Sequence, residues 1–246
     1  MPRVSRIAAS AGIALAACAL TSALTGCGVL ASTGTSAAPG PGAASATPRA
    51  YTVASQVTTV IVNGGAGTIT VTGANRGTVE VTEQPYYSNS KKPPVTSHTV
   101  SGGTLTLSYS CPTQVTCGVS YDVTVPSGTT VRVSDREGAI TLASLSGPVT
   151  AQTIAGVITA TGLAGPSASL SSRAGSITAA FATAPASVTA STNAGPITLT
   201  LPPAAAYKVS ARAFVGRSTV TVRQSASSAH VVTASSDLGS ITINPS

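Results

Sequence analysis

From Glu137 onward the chain repeats a short unit: Gly, one variable residue, a branched apolar residue, then Thr. It reads Gly138-Ala139-Ile140-Thr141, Gly147-Pro148-Val149-Thr150, Gly156-Val157-Ile158-Thr159, Gly175-Ser176-Ile177-Thr178 and Gly195-Pro196-Ile197-Thr198. Imperfect copies start at Gly165-Pro166 and Ala184-Pro185, each displaced by about one residue. Outlying copies stand at Gly67-Thr68-Ile69-Thr70 and Gly239-Ser240-Ile241-Thr242. A step of nine or ten residues is one strand and one turn. Side chains alternate along a strand, so Ile140 and Leu142 share a face, as do Val149 and Ala151, Ile158 and Ala160, and Ile197 and Leu199. The threonines between them face the other way. Gly serves the corner, where a bend needs backbone freedom and no side chain. A lone strand cannot bury its apolar face, so successive units must stack.

Two units make a coil of about 18–20 residues. The expectation is an all-β, single-domain, flattened β-solenoid. An antiparallel β-sandwich also spaces strands by about 8–12 residues and is the alternative; the recurrent corner Gly favours stacked, equivalent coils. Upstream of Asp135 the pattern loosens. Runs such as Val57 to Val62, Thr68 to Thr72, Thr78 to Thr82, Thr104 to Tyr109 and Tyr121 to Val125 read as strands, longer and more hairpin-like than the repeats. Val125-Pro126-Ser127-Gly128 reads as the turn that closes this less regular N-terminal part.

The N-terminus is a targeting segment. Arg3 and Arg6 precede an apolar, Ala-rich run from Ile7 to Ala23, which ends in Leu24-Thr25-Gly26-Cys27. That tetrapeptide looks like a lipobox, after which a bacterial lipoprotein is acylated on the Cys sulfur and cleaved. The expected organisation is a lipoprotein signal peptide over 1–26, the acylated Cys27 with a flexible Ala/Gly/Pro/Ser/Thr linker over 27–50, and a β-strand-repeat domain over 51–246. At least two acyl chains, palmitate among them, would hold Cys27 in membrane lipid, since one chain alone binds only reversibly. The expected place is the extracytoplasmic face of the cell membrane.

Only 8% of residues are charged, and the formal net charge is +7. The basic residues are scattered apart from Lys91-Lys92, so a nucleic-acid stripe with interleaved aromatics is not expected. A weak attraction to anionic lipid or wall polymer is the milder implication. Cys111 and Cys117 remain in the domain with five residues between them, and in an exported chain they read as a disulfide. No His or third Cys stands near them, so neither a metal nor any other cofactor is expected. His98 and His230 sit in strand-like settings and no Gly-x-Ser-x-Gly occurs, so no catalytic residues are assigned. Glu80 and Glu83 fall on opposite faces by parity; Asp135 and Glu137 share parity at a strand end, where charged groups usually meet water. Tyr86, Tyr87, Lys91 and Lys92 border the most distinctive loop, a candidate binding loop for glycan, lipid headgroup or protein.

Cys111…Cys117, then Tyr121-Asp122-Val123-Thr124-Val125-Pro126, the Gly-x-Ile/Val-Thr strands and a closing Asp237-Leu238-Gly239-Ser240-Ile241-Thr242-Ile243 together resemble the bacterial putative-adhesin β-strand-repeat family, in its actinobacterial-like lipoprotein form. The resemblance spans roughly Tyr51 to Ser246. Family members often carry Asp after the repeat Gly, where this chain has Ala, Pro, Val or Ser. The resemblance implies a surface-exposed, non-enzymatic β-solenoid. The function expected is therefore a membrane-anchored envelope lipoprotein acting as an adhesin-like or structural interaction module, with a cell-wall glycan or envelope protein as partner. Envelope-stress sensing is the alternative, and a polysaccharide-acting β-helix enzyme is a further one.

Overall fold

A computed structural model describes residues 44–88, 92–114 and 116–246, all within one unit that spans Pro39–Ser246. The leader, Cys27 and most of the linker lie outside the described residues. No helix occurs among them; the secondary structure is strand throughout. The strands are β1 (Ala44–Ser45), β2 (Arg49–Val53), β3 (Thr59–Asn63), β4 (Ile69–Ala74), β5 (Val79–Tyr87), β6 (Val95–Ser101), β7 (Thr104–Ser110) and β8 (Cys117–Pro126). The repeat region adds β9 (Thr130–Glu137), β10 (Ile140–Ala143), β11 (Val149–Ala155), β12 (Ile158–Leu163), β13 (Ser167–Ala174), β14 (Ile177–Phe181), β15 (Ser187–Ala194) and β16 (Ile197–Leu201). β17 (Lys208–Val215), β18 (Ser218–Val220), β19 (Val231–Leu238) and β20 (Ile241–Pro245) complete the set.

These strands alternate between two sheets. Sheet A runs β1-β5-β8-β4-β10-β12-β14-β16-β20-β18, with β2 also on β5; sheet B runs β17-β19-β15-β13-β11-β9-β3-β7-β6. Every pairing in the repeat region is parallel, and from β9 to β14 each strand pairs with the strand two further along rather than with its neighbour in sequence. That is a two-sided β-solenoid, and it excludes the antiparallel sandwich. Among the described residues, antiparallel pairs occur only toward the N-terminal end, at β1–β5, β2–β5, β5–β8 and β6–β7. The β6–β7 hairpin turns on Gly102 and Gly103, whose φ values of 56° and 73° suit the tight turn of a right-twisted hairpin. β1 and the start of β2 fall in the stretch that composition reads as linker, because backbone pairing to β5 needs no apolar pattern.

The register turns the sequence repeat into columns. Ile140 lies on Ile158, Ile158 on Ile177 and Ile177 on Ile197, steps of 18, 19 and 20 residues. The outlying copies join the same column, Ile69 beside Ile140 and Ile241 beside Ile197. In sheet B the column is Val60, Val131, Val149, Ala168, Val188 and Val232. The displaced copies at Gly165 and Ala184 thus stay in register, and their extra residue is absorbed in the turn. All of these side chains are buried, and full burial stabilises by about 1.5–3 kcal/mol for each branched one.

One corner is a column of glycines. A Cβ on Gly138 would lie 1.8 Å from the Gly67 carbonyl oxygen, one on Gly156 would lie 1.8 Å from that of Gly138, and one on Gly175 would lie 1.9 Å from that of Gly156. Gly138 has φ of 138° and Gly175 of 150°, but Gly156 is outside that left-handed range. Close backbone approach, not φ, is therefore the requirement common to the column. Beside it, inside the coil, runs a polar column: Asp135, Thr153, Ser172, Thr192 and Ser236, all buried and in register. Ser172 Oγ donates to the Gly156 carbonyl at 3.1 Å, Thr192 Oγ1 to Gly175 at 3.0 Å and Ser236 Oγ to Gly195 at 3.0 Å. These three hydroxyls stitch their coils to the ones beneath, whereas the Thr153 hydroxyl has no hydrogen-bond partner.

At both ends the stacking order departs from chain order. The β3/β4 coil sits between β7/β8 and β9/β10, and the β19/β20 coil sits between β15/β16 and β17/β18. In each case the coil nearer the chain terminus is interior and a later or earlier one forms the outside.

Candidate functional site

The sequence-predicted site residues are not gathered in one place. Cys27 and Lys91 lie outside the described residues. Tyr86 and Tyr87 stand on β5, paired across from Gly118 and Cys117, rather than on the irregular segment. Tyr86 packs its phenol over Gly118, where a Cβ would meet its oxygen at 2.2 Å. Burial, followed by the nearby Tyr109, Asp135 and Glu137, pushes the Tyr86 phenol up to about 12. Lys92 is exposed beyond the strand. The tyrosines and Lys92 therefore belong to different surroundings. Cys111 and Cys117 form a disulfide with Cα atoms 5.8 Å apart, tying the segment after β7 to the start of β8.

Two carboxylates prove to be interior. Glu83 is 2% exposed and accepts a hydrogen bond from Tyr51 Oη at 2.8 Å. Burial, then that bond to Glu83, raises the Tyr51 phenol well above its ordinary value. The Tyr51 ring stacks on His98 at 4.6 Å between centroids, joining β2 of sheet A to β6 at the edge of sheet B. Asp135 corrects an expectation. It was expected at a solvated strand end with Glu137; Glu137 is exposed, but Asp135 is 4% exposed, with both carboxylate oxygens lacking a hydrogen-bond partner. Burial pushes its carboxyl up to about 6; the Arg136 amide opposes the shift, though outside hydrogen-bond geometry, and Glu137 adds to it. Parity held the signal: Asp135 has the parity of the inward Val131 and Val133, as Glu83 has that of Val79 and Val81. His230 is elsewhere, its Nδ1 2.8 Å from the Pro185 carbonyl oxygen. Among the described residues no group of three metal-ligating side chains occurs.

The outer faces of the two sheets differ, and sequence reasoning did not separate them. Sheet A presents Thr70, Thr141, Thr159, Thr178, Thr198, Thr242 and Thr219 as one continuous column. No cation stands on that face from β10 to β20. Sheet B, by contrast, turns Arg132, Arg136, Arg173, Lys208 and Arg212 outward among Ser, Thr, Gln and Asn, all five exposed. Asp237 is the acid in those outward rows, on β19. The ion pair found among the described residues is Arg76–Glu80, so none of the five cations is neutralised there. A shallow groove of about 450 Å³ crosses β9, β11 and β13 on this face. Its floor is backbone at Asp135, Thr153 and Ser172, and outward side chains wall it: Ser134, Gln152 and Ser171 on one side, Arg136, Ile154, Arg173 and Asn193 on the other.

No family model matches this chain, and no curated protein matches it. Two solved structures align with 81% of it. One is a putative cell adhesion protein from Clostridium sporogenes ATCC 15579, 13% identical, covered over 100% of its length with a TM-score of 0.48. The other is a putative adhesin from Bacteroides fragilis NCTC 9343, 16% identical, covered over 97% of its length with a TM-score of 0.41. Neither likeness is close enough to transfer a partner or a role.

Proposed function

We propose that this chain is a lipid-anchored, non-catalytic interaction module of the cell envelope whose working surface is the outer face of sheet B. The observation that carries this is the set of five exposed cations on one flat, hydroxyl-rich face, none of them neutralised by an ion pair among the described residues. Solvated, unpaired guanidinium groups keep their long-range field, which favours encounter with acidic partners. The anchor rests on Leu24-Thr25-Gly26-Cys27. The non-catalytic reading is supported by the separation of Asp135, turned inward, from Glu137, turned to solvent. Glycoside cleavage wants two carboxylates on one groove.

Two measurements test this. Cys27→Ser should move the protein from the membrane fraction to the soluble one; a variant that stays membrane-bound contradicts the anchor. The soluble Cys27→Ser chain should sediment with purified envelopes at low salt and be released as salt rises, because exposed charges are screened over about 10 Å at 0.1 M. Replacing Arg132, Arg136, Arg173, Lys208 and Arg212 with Gln should abolish that sedimentation; unchanged sedimentation rules the face out.

A further inference from the structure

Within that face the groove has a direction and a spacing. It runs across the strands, along the stacking axis. Arg136 and Arg173 occupy the same wall on β9 and β13, with β11 between them. Two strand spacings set their backbones about 9–10 Å apart. Between them on that wall stands the exposed Ile154; Asn193 continues the wall beyond Arg173, and Ser134, Gln152 and Ser171 face them as neutral donors and acceptors. The carboxylate of Asp135 faces the interior, so no acid projects from the walls. At one end Asp237 follows Asn193 on the next strand, as the flanking pairs Thr192 with Ser236 and Ala194 with Leu238 require. That acid closes this end to anions.

From this geometry we infer that the groove binds a linear acidic polysaccharide lying along the solenoid axis, with Arg136 and Arg173 each receiving a carboxylate and the amide and hydroxyl side chains receiving sugar hydroxyls. The inference rests on the proposed function and names its partner chemistry. A guanidinium offers a planar fork of donors that matches a carboxylate in two bonds, which a point charge does not. The hydroxyl and amide walls suit a chain dense in hydroxyls better than a bare phosphodiester backbone. A bilayer would present its charge as a plane and engage all five cations alike; the groove distinguishes two. The repeat implied is one carboxylate on every second sugar, because the arginines lie two strand spacings apart and a sugar in an extended chain advances about one such spacing.

The test uses the full-length Cys27→Ser chain and hyaluronan oligosaccharides, which carry a carboxylate on alternate sugars. Neutral dextran, poly(glycerol phosphate) and phosphatidylglycerol vesicles serve as the other arms. Titration calorimetry at low salt should show binding to hyaluronan, none to dextran, and weaker binding to the phosphate polymer and the vesicles. Arg136→Gln with Arg173→Gln should weaken hyaluronan binding at least tenfold, while Arg132→Gln with Arg212→Gln should weaken it less than threefold. Both pairs are exposed and remove the same charge, so a folding defect or a diffuse field would affect them alike, and equal losses overturn the inference. Stronger binding to poly(glycerol phosphate) or to vesicles overturns it too. A chain that binds isolated envelopes but not hyaluronan refutes the groove alone; one that binds neither refutes the proposed function as well.

Discussion

Asp135 is the one charged member of a column of hydroxyls, three of which donate. Ser172, Thr192 and Ser236 each give a proton to the glycine carbonyl of the coil beneath. By the same register the acceptor facing Asp135 is the carbonyl of Gly67, and an ionised carboxylate has no proton to give it. Burial raises the carboxyl from 3.8 to about 6. A raised acid contributes stability that is fully present below its unfolded value and lost as pH climbs through the folded one. The chain should therefore lose stability between roughly pH 4 and pH 6, by about 1–2 kcal/mol after discounting for solvent near the corner. Asp135→Ser restores the column's donor. Urea unfolding at pH 7 should show that variant more stable by a similar amount, with the slope between pH 4 and 6 reduced; a less stable variant refutes the account. Gly156 makes the opposite case. Its left-handed freedom is not needed, yet Gly156→Ala should cost more than about 3 kcal/mol, because the new methyl meets backbone that cannot rotate away. A loss under 1 kcal/mol would show that the coils can separate at little cost.

At the scale of strands and coils, the repeat was legible because its period is both covalent and structural. The coil of about 18–20 residues brings Ile140, Ile158, Ile177 and Ile197 one above another, and Gly67 and Gly239 mark Ile69 and Ile241 as further copies of the same unit. The displaced copies at Gly165 and Ala184 were also legible, since a turn can take an extra residue without shifting the strand that follows. The order of coils at the ends was not legible. Which coil lies outermost depends on pairings between strands far apart in sequence, as with Ile197 beside Ile241, and no local pattern encodes that choice. Nor was the interior position of Asp135 read, because the habit that charges seek water outweighed its parity with Val131 and Val133. The end order has a consequence. Removing the residues from Val231 on deletes an interior coil, not a peripheral one, and leaves β17 and β18 without their sheet partners. Such a chain should lose the exchange protection of β17 as well, measured by amide hydrogen exchange; a β17 that stays protected would show that it finds another partner.

For the whole unit, the two outer faces differ in charge. Sheet A offers a threonine column without cations from β10 to β20, and sheet B offers the exposed arginines; the flattened coil keeps them on opposite sides. The basic face was half legible: scattered arginines were visible in the sequence, but only the register of β9, β13 and β17 brings Arg132, Arg136, Arg173 and Arg212 together. The tyrosine-lysine loop drew attention because aromatic and basic residues were adjacent, whereas the strand had already committed Tyr86 and Tyr87 to β5.

The central claim, that one basic face meets the envelope, is tested most directly by arginine-specific labelling with phenylglyoxal, read by mass spectrometry, on free and envelope-bound protein. Arg132, Arg136, Arg173 and Arg212 should be protected on binding, while Arg76 and Arg223 should label as they do in the free chain. Equal labelling of all six in both states would contradict it.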